Sequence, residues 1–72
     1  MFKVTVTPVK VFRRPAWEII VTGGSGSRSM MYVPPHGTTK KARARAIDER
    51  VEMLKEDLMA AENEYHRRKG DG

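Results

Sequence analysis

The sequence predicts an α+β fold in which a three-stranded antiparallel sheet is followed by one long C-terminal α-helix (β-β-β-α). The first half holds short runs of β-branched residues with period-two alternation, separated by proline and glycine clusters. The second half changes to apolar spacings of three and four residues, which are typical of a helix. With 72 residues and no cysteine, the chain has room for one small domain without disulfides. We therefore expect a single domain over residues 1–72, with the sheet in residues 2–33, a connector in 34–38, the helix in 39–68 and a frayed tail in 69–72.

The first predicted strand begins at Phe2, where apolar and polar residues alternate as far as Thr7. Pro8 interrupts the strand, and the apolar residues then move from even to odd positions at Val9 and Val11. This change of parity predicts a bulge or bend near Pro8 on an edge strand, where a missing N–H costs little.

The second and third predicted strands follow two turn signals. Arg13-Arg14-Pro15 indicates a turn, and the strand after it, residues 16–22, places Trp17, Ile19 and Val21 on one apolar face with Val4 and Val6 of the first strand. The Gly-rich segment 23–27 indicates a hairpin tip or a mobile lid, and the third strand is expected in residues 28–33. In this register Phe12 and Tyr32 lie opposite the core face, as candidates for exposed aromatic contacts.

The helix pattern is the strongest signal in the chain. A helix of about 29 residues is about 44 Å long, whereas a six-residue strand spans about 20 Å, so we expect the helix to overhang its sheet. The apolar residues of the overhanging part would need to be buried against another surface, and the simplest such surface is a second copy of the chain in a homodimer. A parallel zipper would bring Arg50 beside Lys55 of the second copy, so an antiparallel or sheet-mediated dimer is favoured, with a packed hairpin or a foreign partner still open. The seam consists of Ala44, Ile47, Val51, Leu54, Leu58, Ala61 and Tyr65, of which Leu58, Ala61 and Tyr65 form the expected partner interface.

The charge of the chain is divided unevenly. Residues 1–45 carry nine basic residues and one acid, Glu18, for a net charge of +8, whereas residues 46–72 carry −3. A basic first half favours a polyanion or an acidic protein surface as the partner.

Two groups of cations are the candidate binding residues. Thr38 or Thr39 can cap the helix, and four cations follow in its first two turns, against the preference of the helix dipole. Cations at a helix start reduce local stability, which indicates a functional site, and this one suits phosphate. Two alternatives stay open: the cations could bind an acidic protein surface, or they could form a solvated face in which Arg45 pairs with Asp48 and Glu49. Further cations lie at or near the ends of the predicted strands, where they could contact a nucleic-acid backbone. The candidate nucleic-acid-binding residues are Lys40, Lys41, Arg43, Arg45, Arg13, Arg14 and Arg28.

Several other classes of function are not expected. A domain of this size has little material for an enclosed pocket, and no nucleophile, base and orienting group can be assembled, so we expect no enzyme and no cofactor. His36 and His66 lie 30 residues apart without matching acids, which does not indicate a metal site. The first twenty residues lack a long apolar run, so we expect neither a signal peptide nor a membrane span, and a cytoplasmic location.

Two families resemble parts of this pattern. The predicted order of elements, with Trp17-Glu18-Ile19-Ile20-Val21 as the second strand and a basic helix start, resembles the arm-type DNA-binding domains of integrases, which lay a three-stranded sheet in the major groove. In that family the third strand is usually basic, whereas here it carries Arg28 alone. Thr39-Lys40-Lys41-Ala42-Arg43 is similar to the last strand-to-helix junction of double-stranded-RNA-binding domains, whose first helix is missing here. Either resemblance implies phosphate contacts from Lys40, Lys41 and Arg43.

The sequence therefore predicts a small basic accessory or regulatory protein of bacterial or phage type that binds nucleic acid, with DNA, and duplex rather than single-stranded, as the expected ligand. The alternative is a protein-binding module or phage-type inhibitor that docks on an acidic host protein through its long helix and basic patch. Salt dependence separates the two, because phosphate binding weakens steeply as salt rises.

Overall fold

Three antiparallel strands in the order β1-β2-β3 form one sheet, and a single long helix follows them. A computed structural model describes residues 1–24 and 26–64, and residues 65–71 by their helical backbone alone. The predicted fold class is confirmed, whereas the predicted tail, residues 69–72, lies outside the residues described with side chains. The elements are β1 (Lys3–Val11), β2 (Arg14–Gly23), β3 (Gly26–Tyr32) and α1 (Lys40–Asp71).

The first hairpin keeps one register from Lys3↔Thr22 to Val11↔Arg14, so the predicted bulge at Pro8 is wrong. Hydrogen-bonded and non-hydrogen-bonded pairs alternate along an antiparallel ladder. Counted from the two-residue turn that follows Val11, Pro8 falls in a non-hydrogen-bonded pair, and its nitrogen faces the open edge of β1. Pro8 therefore fits into a regular strand.

The turn of this hairpin also lies earlier than the sequence predicts. Phe12 and Arg13 form it, both with positive φ, and β2 already begins at Arg14. Positive φ at both central residues is the pattern of a type I′ turn, which matches the twist of the strands it connects.

The second hairpin closes where Gly23 pairs with Gly26, within the predicted Gly-rich tip. In its register the odd positions of β2 pair with the even positions of β3, so Trp17 lies opposite Tyr32 on the core face. Tyr32 is accordingly 7% exposed, and the prediction of an exposed Tyr32 is wrong. Phe12, in contrast, is 95% exposed, as predicted.

The helix packs across β2 and β3 and leaves β1 beside it. For this reason Val4 and Val6, which share the apolar face of the sheet with Ile19 and Val21, are each 39% exposed. The core lies between α1 and the two strands that it covers. Its buried members are Ile19, Val21, Tyr32, Val51, Leu54 and Leu58, and Phe2, Trp17, Met30, Ala46 and Ile47 pack partly buried against them.

Leu58 belongs to this core and is 2% exposed, so the prediction that it overhangs the sheet is wrong. Leu58 and Phe2 both lie close to Gly23. If Gly23 carried a Cβ, that atom would lie 2.9 Å from Cε1 of Phe2 and 3.8 Å from Cδ1 of Leu58. A glycine thus lets an aromatic ring and the helix approach the same point of the strand. Ala61 is half-buried and the side chain of Tyr65 lies outside the described residues, so the homodimer stays a prediction without Leu58 as its contact.

Candidate functional site

The start of α1 is fixed by two short hydrogen-bonded motifs. The Ala42 N–H donates to Oγ1 of Thr39 at 3.1 Å, and the Arg43 N–H donates to the Thr39 carbonyl at 2.9 Å. Of the two predicted caps, Thr39 is therefore the one that caps the helix. Thr38 closes a turn instead, because its N–H and its hydroxyl both donate to the Pro35 carbonyl, at 3.2 and 2.7 Å.

This turn directs the connector back toward the first hairpin. Gly37 has a φ of 82°, which a type II turn requires at its third residue. A cleft of about 290 Å³ forms where the connector, the first hairpin and α1 meet. It is lined by Arg13, Arg14, Pro15, Trp17, Pro34, Pro35, His36, Gly37, Thr38 and Arg43. We refer to it as the arginine cleft.

Two of the three arginines in the cleft are held in place by contacts within the fold. Arg14 donates from Nη2 to the Pro34 carbonyl at 2.8 Å, which ties the start of β2 to the connector. The guanidinium carbon of Arg43 lies 4.5 Å from the centroid of the Trp17 ring, in cation–π distance. A guanidinium has five N–H donors, so these contacts orient both groups without using up their capacity to bind an anion.

A second, smaller cleft lies beside the first turn of the helix. It measures about 230 Å³ and is lined by Thr39, Lys41, Ala42 and Arg45. Lys40 is exposed next to it. Among the described residues, Arg45 forms no ion pair with Asp48 or Glu49, the pairing that would have explained its position without a ligand.

The side chains that line both clefts include cations and no acids. The first turn of α1 also has no acid. Glu18, the one acid of the first 45 residues, lies on the face of β2 opposite Trp17 and lines neither cleft. Further along α1, Asp48 and Glu49 line a groove together with Lys41 and Arg45. The lining of the arginine cleft is therefore without an acid, whereas the cations of the smaller cleft have acids nearby.

Arg28 is separated from the other candidate residues. It pairs with Val21 near the far end of β2, which is seven residues from Arg14 or about 24 Å along the strand. The structure thus brings together Arg13, Arg14 and Arg43 around one cleft and leaves Arg28 apart.

Sequence reasoning missed two aspects of this arrangement. It did not place His36 and Trp17 at the arginine cleft, because the fold of the connector decides that contact and no periodic pattern reports it. It also missed Arg50, whose guanidinium carbon lies 4.2 Å from the centroid of the Tyr32 ring and which donates to the Ala46 carbonyl at 3.1 Å. The spacing of Arg43 and Arg50, seven residues on one helix face, was the available signal.

Residues 1–24 and 26–64 bring no three histidine or acidic side chains together in a way that could hold a metal ion. The described helix lacks the length of apolar sequence that crossing a membrane takes. In comparisons with protein-family models, curated proteins and solved structures, nothing matches this chain. The observed sheet and helix are consistent in topology with the arrangement expected from the integrase-type resemblance.

Proposed function

We propose that this protein binds nucleic acid through its phosphate groups, as a small accessory or regulatory protein of bacterial or phage type. The observation that carries the proposal is the convergence of Arg13, Arg14 and Arg43 on a cleft without an acid, beside a helix start that bears Lys40 and Lys41. Planar guanidinium groups match phosphate geometry, and the first N–H groups of a helix attract anions.

The arrangement fits a backbone contact better than a closed ligand pocket. The arginine cleft lies beside an exposed hairpin tip and an exposed row of lysines, so positive charge extends beyond it. An extended polyanion can contact such a surface at several phosphates at once, whereas a small anion would use one position. Duplex DNA is the first ligand to test, followed by duplex RNA and single strands.

The test is a fluorescence-anisotropy titration of labelled DNA at about 50 and 200 mM salt. With three to five phosphate contacts, the slope of log K against log salt should be about −2.7 to −4.5. The double variant Lys40→Glu with Lys41→Glu should lose most of the affinity and flatten the slope by about two. Its folding should be unchanged or slightly improved, because acids suit a helix start.

A matched control reverses two cations at the other end of the sheet. Lys3 pairs with Thr22 and Arg28 pairs with Val21, so Lys3→Glu with Arg28→Glu makes the same change in net charge far from the clefts. This variant should keep most of the affinity and a slope near that of the wild type. Equal losses in both double variants would mean that net charge, rather than the basic end, governs binding, and normal binding by the Lys40/Lys41 variant would contradict the site.

A protein-binding role is the second candidate function, favoured by the sheet face opposite α1. On that face Ile20 is half-buried and both Met31 and Val33 are exposed, so part of it offers apolar surface to a partner. Absence of nucleic-acid binding even at low salt, together with salt-resistant binding of a partner protein that Met31→Lys abolishes, would support this role over the first.

A further inference from the structure

The turn between β1 and β2 uses two residues that its backbone geometry disfavours. Phe12 has a φ of 49° and Arg13 a φ of 67°. A two-residue turn with positive φ at both positions favours asparagine and glycine, and a bulky side chain is rare in this region of conformational space. The fold would therefore be better served by a different pair of residues.

Nothing in the described fold uses the Phe12 ring. It is 95% exposed, and it belongs neither to the core nor to the apolar side chains that pack against the core. The turn geometry opposes a phenylalanine here, and an exposed ring gains no stabilisation from burial in return. A strained, solvent-exposed aromatic residue at a hairpin tip calls for an explanation outside the folded monomer.

The neighbours of Phe12 indicate what that explanation is. Arg13 and Arg14 follow it directly and line the arginine cleft, and Lys10 precedes it on β1. No acid occurs before Glu18. A phosphate bound by Arg13 would hold a nucleic-acid chain at the same tip that displays the ring.

We propose that Phe12 is a base-contacting residue, which stacks on the face of a nucleobase while the arginine cleft holds the adjacent phosphate. The inference rests on the proposed function and specifies its mode. Aromatic side chains stack on bases of single strands, and apolar side chains enter deformable steps of duplexes, so the shared ligand is an accessible base face.

The tip has the reach that such a contact demands. Phe12 follows the last residue of β1, and β2 begins two residues later, so this 95% exposed residue lies in the turn beyond the end of the sheet. A single ring at that position can reach between neighbouring bases, which a strand backbone cannot do.

The test compares Phe12→Asn with Phe12→Tyr. Asparagine suits the turn but cannot stack as a phenyl ring does, so Phe12→Asn should raise the melting temperature and weaken oligonucleotide binding by about tenfold, within the range for loss of one stacked base. The salt slope should remain that of the wild type, because the phosphate contacts are intact. Phe12→Tyr keeps the ring and the backbone strain, and should bind within about twofold of the wild type.

A second readout reports the base contact directly. Oligonucleotides with a single 2-aminopurine, either in a single strand or within a duplex, should change in fluorescence when the wild type or Phe12→Tyr binds. The change should be absent at saturating Phe12→Asn. A signal in the single strand alone assigns stacking on unpaired bases, and a signal in the duplex assigns insertion at a base step.

Three results would overturn the inference. Wild-type affinity and fluorescence change with Phe12→Asn would show that the ring makes no base contact, while leaving the proposed nucleic-acid binding intact. A flatter salt slope in Phe12→Asn would show that the turn positions Arg13 and that the ring itself is dispensable. If the wild type binds no nucleic acid at low salt, the proposed function and this inference fail together.

Discussion

At each end of the sheet a tight turn joins two antiparallel strands, but the two turns use very different residues. At one end, which we call the glycine end, β2 and β3 are joined between Gly23 and Gly26, and the small residue at Gly23 lets Phe2 and Leu58 close the core. At the other, which we call the basic end, β1 and β2 are joined by Phe12 and Arg13 at positive φ. One end follows local preferences and the other departs from them.

The departures at the basic end occur together. A bulky pair occupies a turn suited to glycine, cations occupy the helix start, and no acid lines the arginine cleft. The strained turn and the cations at the helix start each oppose folding by about 0.3–3 kcal/mol on general grounds. Natural sequences give up stability in this way at functional sites, so the contrast itself directs attention to the basic end.

The largest effect should follow from damage to the glycine end. Leu58→Ala removes a nearly fully buried side chain and should destabilise the fold by about 3 kcal/mol, because the lost contacts and the cavity add together. Thermal unfolding followed by circular dichroism measures this loss, and Leu58→Met serves as the volume-conserving control, which should cost less than about 1.5 kcal/mol. An unchanged melting temperature with a halved mass in solution would instead restore Leu58 to a dimer interface.

An intermediate effect should distinguish the two arginines that cover aromatic rings. Arg43→Met and Arg50→Met each remove one cation–π contact, over Trp17 and Tyr32, and each should cost about 0.5–2 kcal/mol of stability. Arg43 also lines the arginine cleft, so its variant alone should reduce the salt slope of nucleic-acid binding by about one. Equal slopes for the two variants would contradict the assignment of the cleft.

The smallest effect should come from the helix cap at the basic end. Thr39→Ala removes the hydroxyl that accepts from the Ala42 N–H and should cost about 1 kcal/mol in chemical denaturation. Thr39→Ser keeps the acceptor and should be close to the wild type. A serine variant as unstable as the alanine variant would show that the methyl group, not the cap, carries the effect.

Much of the fold was accessible from the sequence because its signals are local. Strand alternation, the Gly-rich tip and the spacing of three and four residues each report on a stretch of neighbouring residues, and together they predict the β-β-β-α order. The face of the sheet on which Tyr32 lies could not be predicted from neighbouring residues, because it depends on how Gly23 and Gly26 set the register of the second hairpin. One residue of register moves a side chain to the other face of a sheet.

The kind of residues that form the candidate site could be predicted from the sequence, but the contacts that bring them together could not. The excess of cations before residue 46 indicated a polyanion, and the helix start was recognisable from Lys40 and Lys41. That Arg14 would bind the Pro34 carbonyl, and so bring the connector to the first hairpin, depends on a contact between residues twenty positions apart. Arg28 was grouped with Arg13 and Arg14 because all three were expected at or near strand ends, but the pairing of Arg28 with Val21 places it at the other end of β2.

Pro8 has a consequence for self-assembly. β1 is a long edge strand rich in valine and threonine, the kind of edge that can pair with further copies of the chain and start aggregation. Because the Pro8 nitrogen faces the open edge and carries no hydrogen, a strand added from solvent loses a hydrogen bond at the middle of β1. Lys3 and Lys10 add charge on either side of that gap. A second chain can thus pair with the edge of β1 over a short stretch at most. Pro8 and the two lysines therefore protect β1 from fibre formation, although no second helix covers it in the described part of the chain.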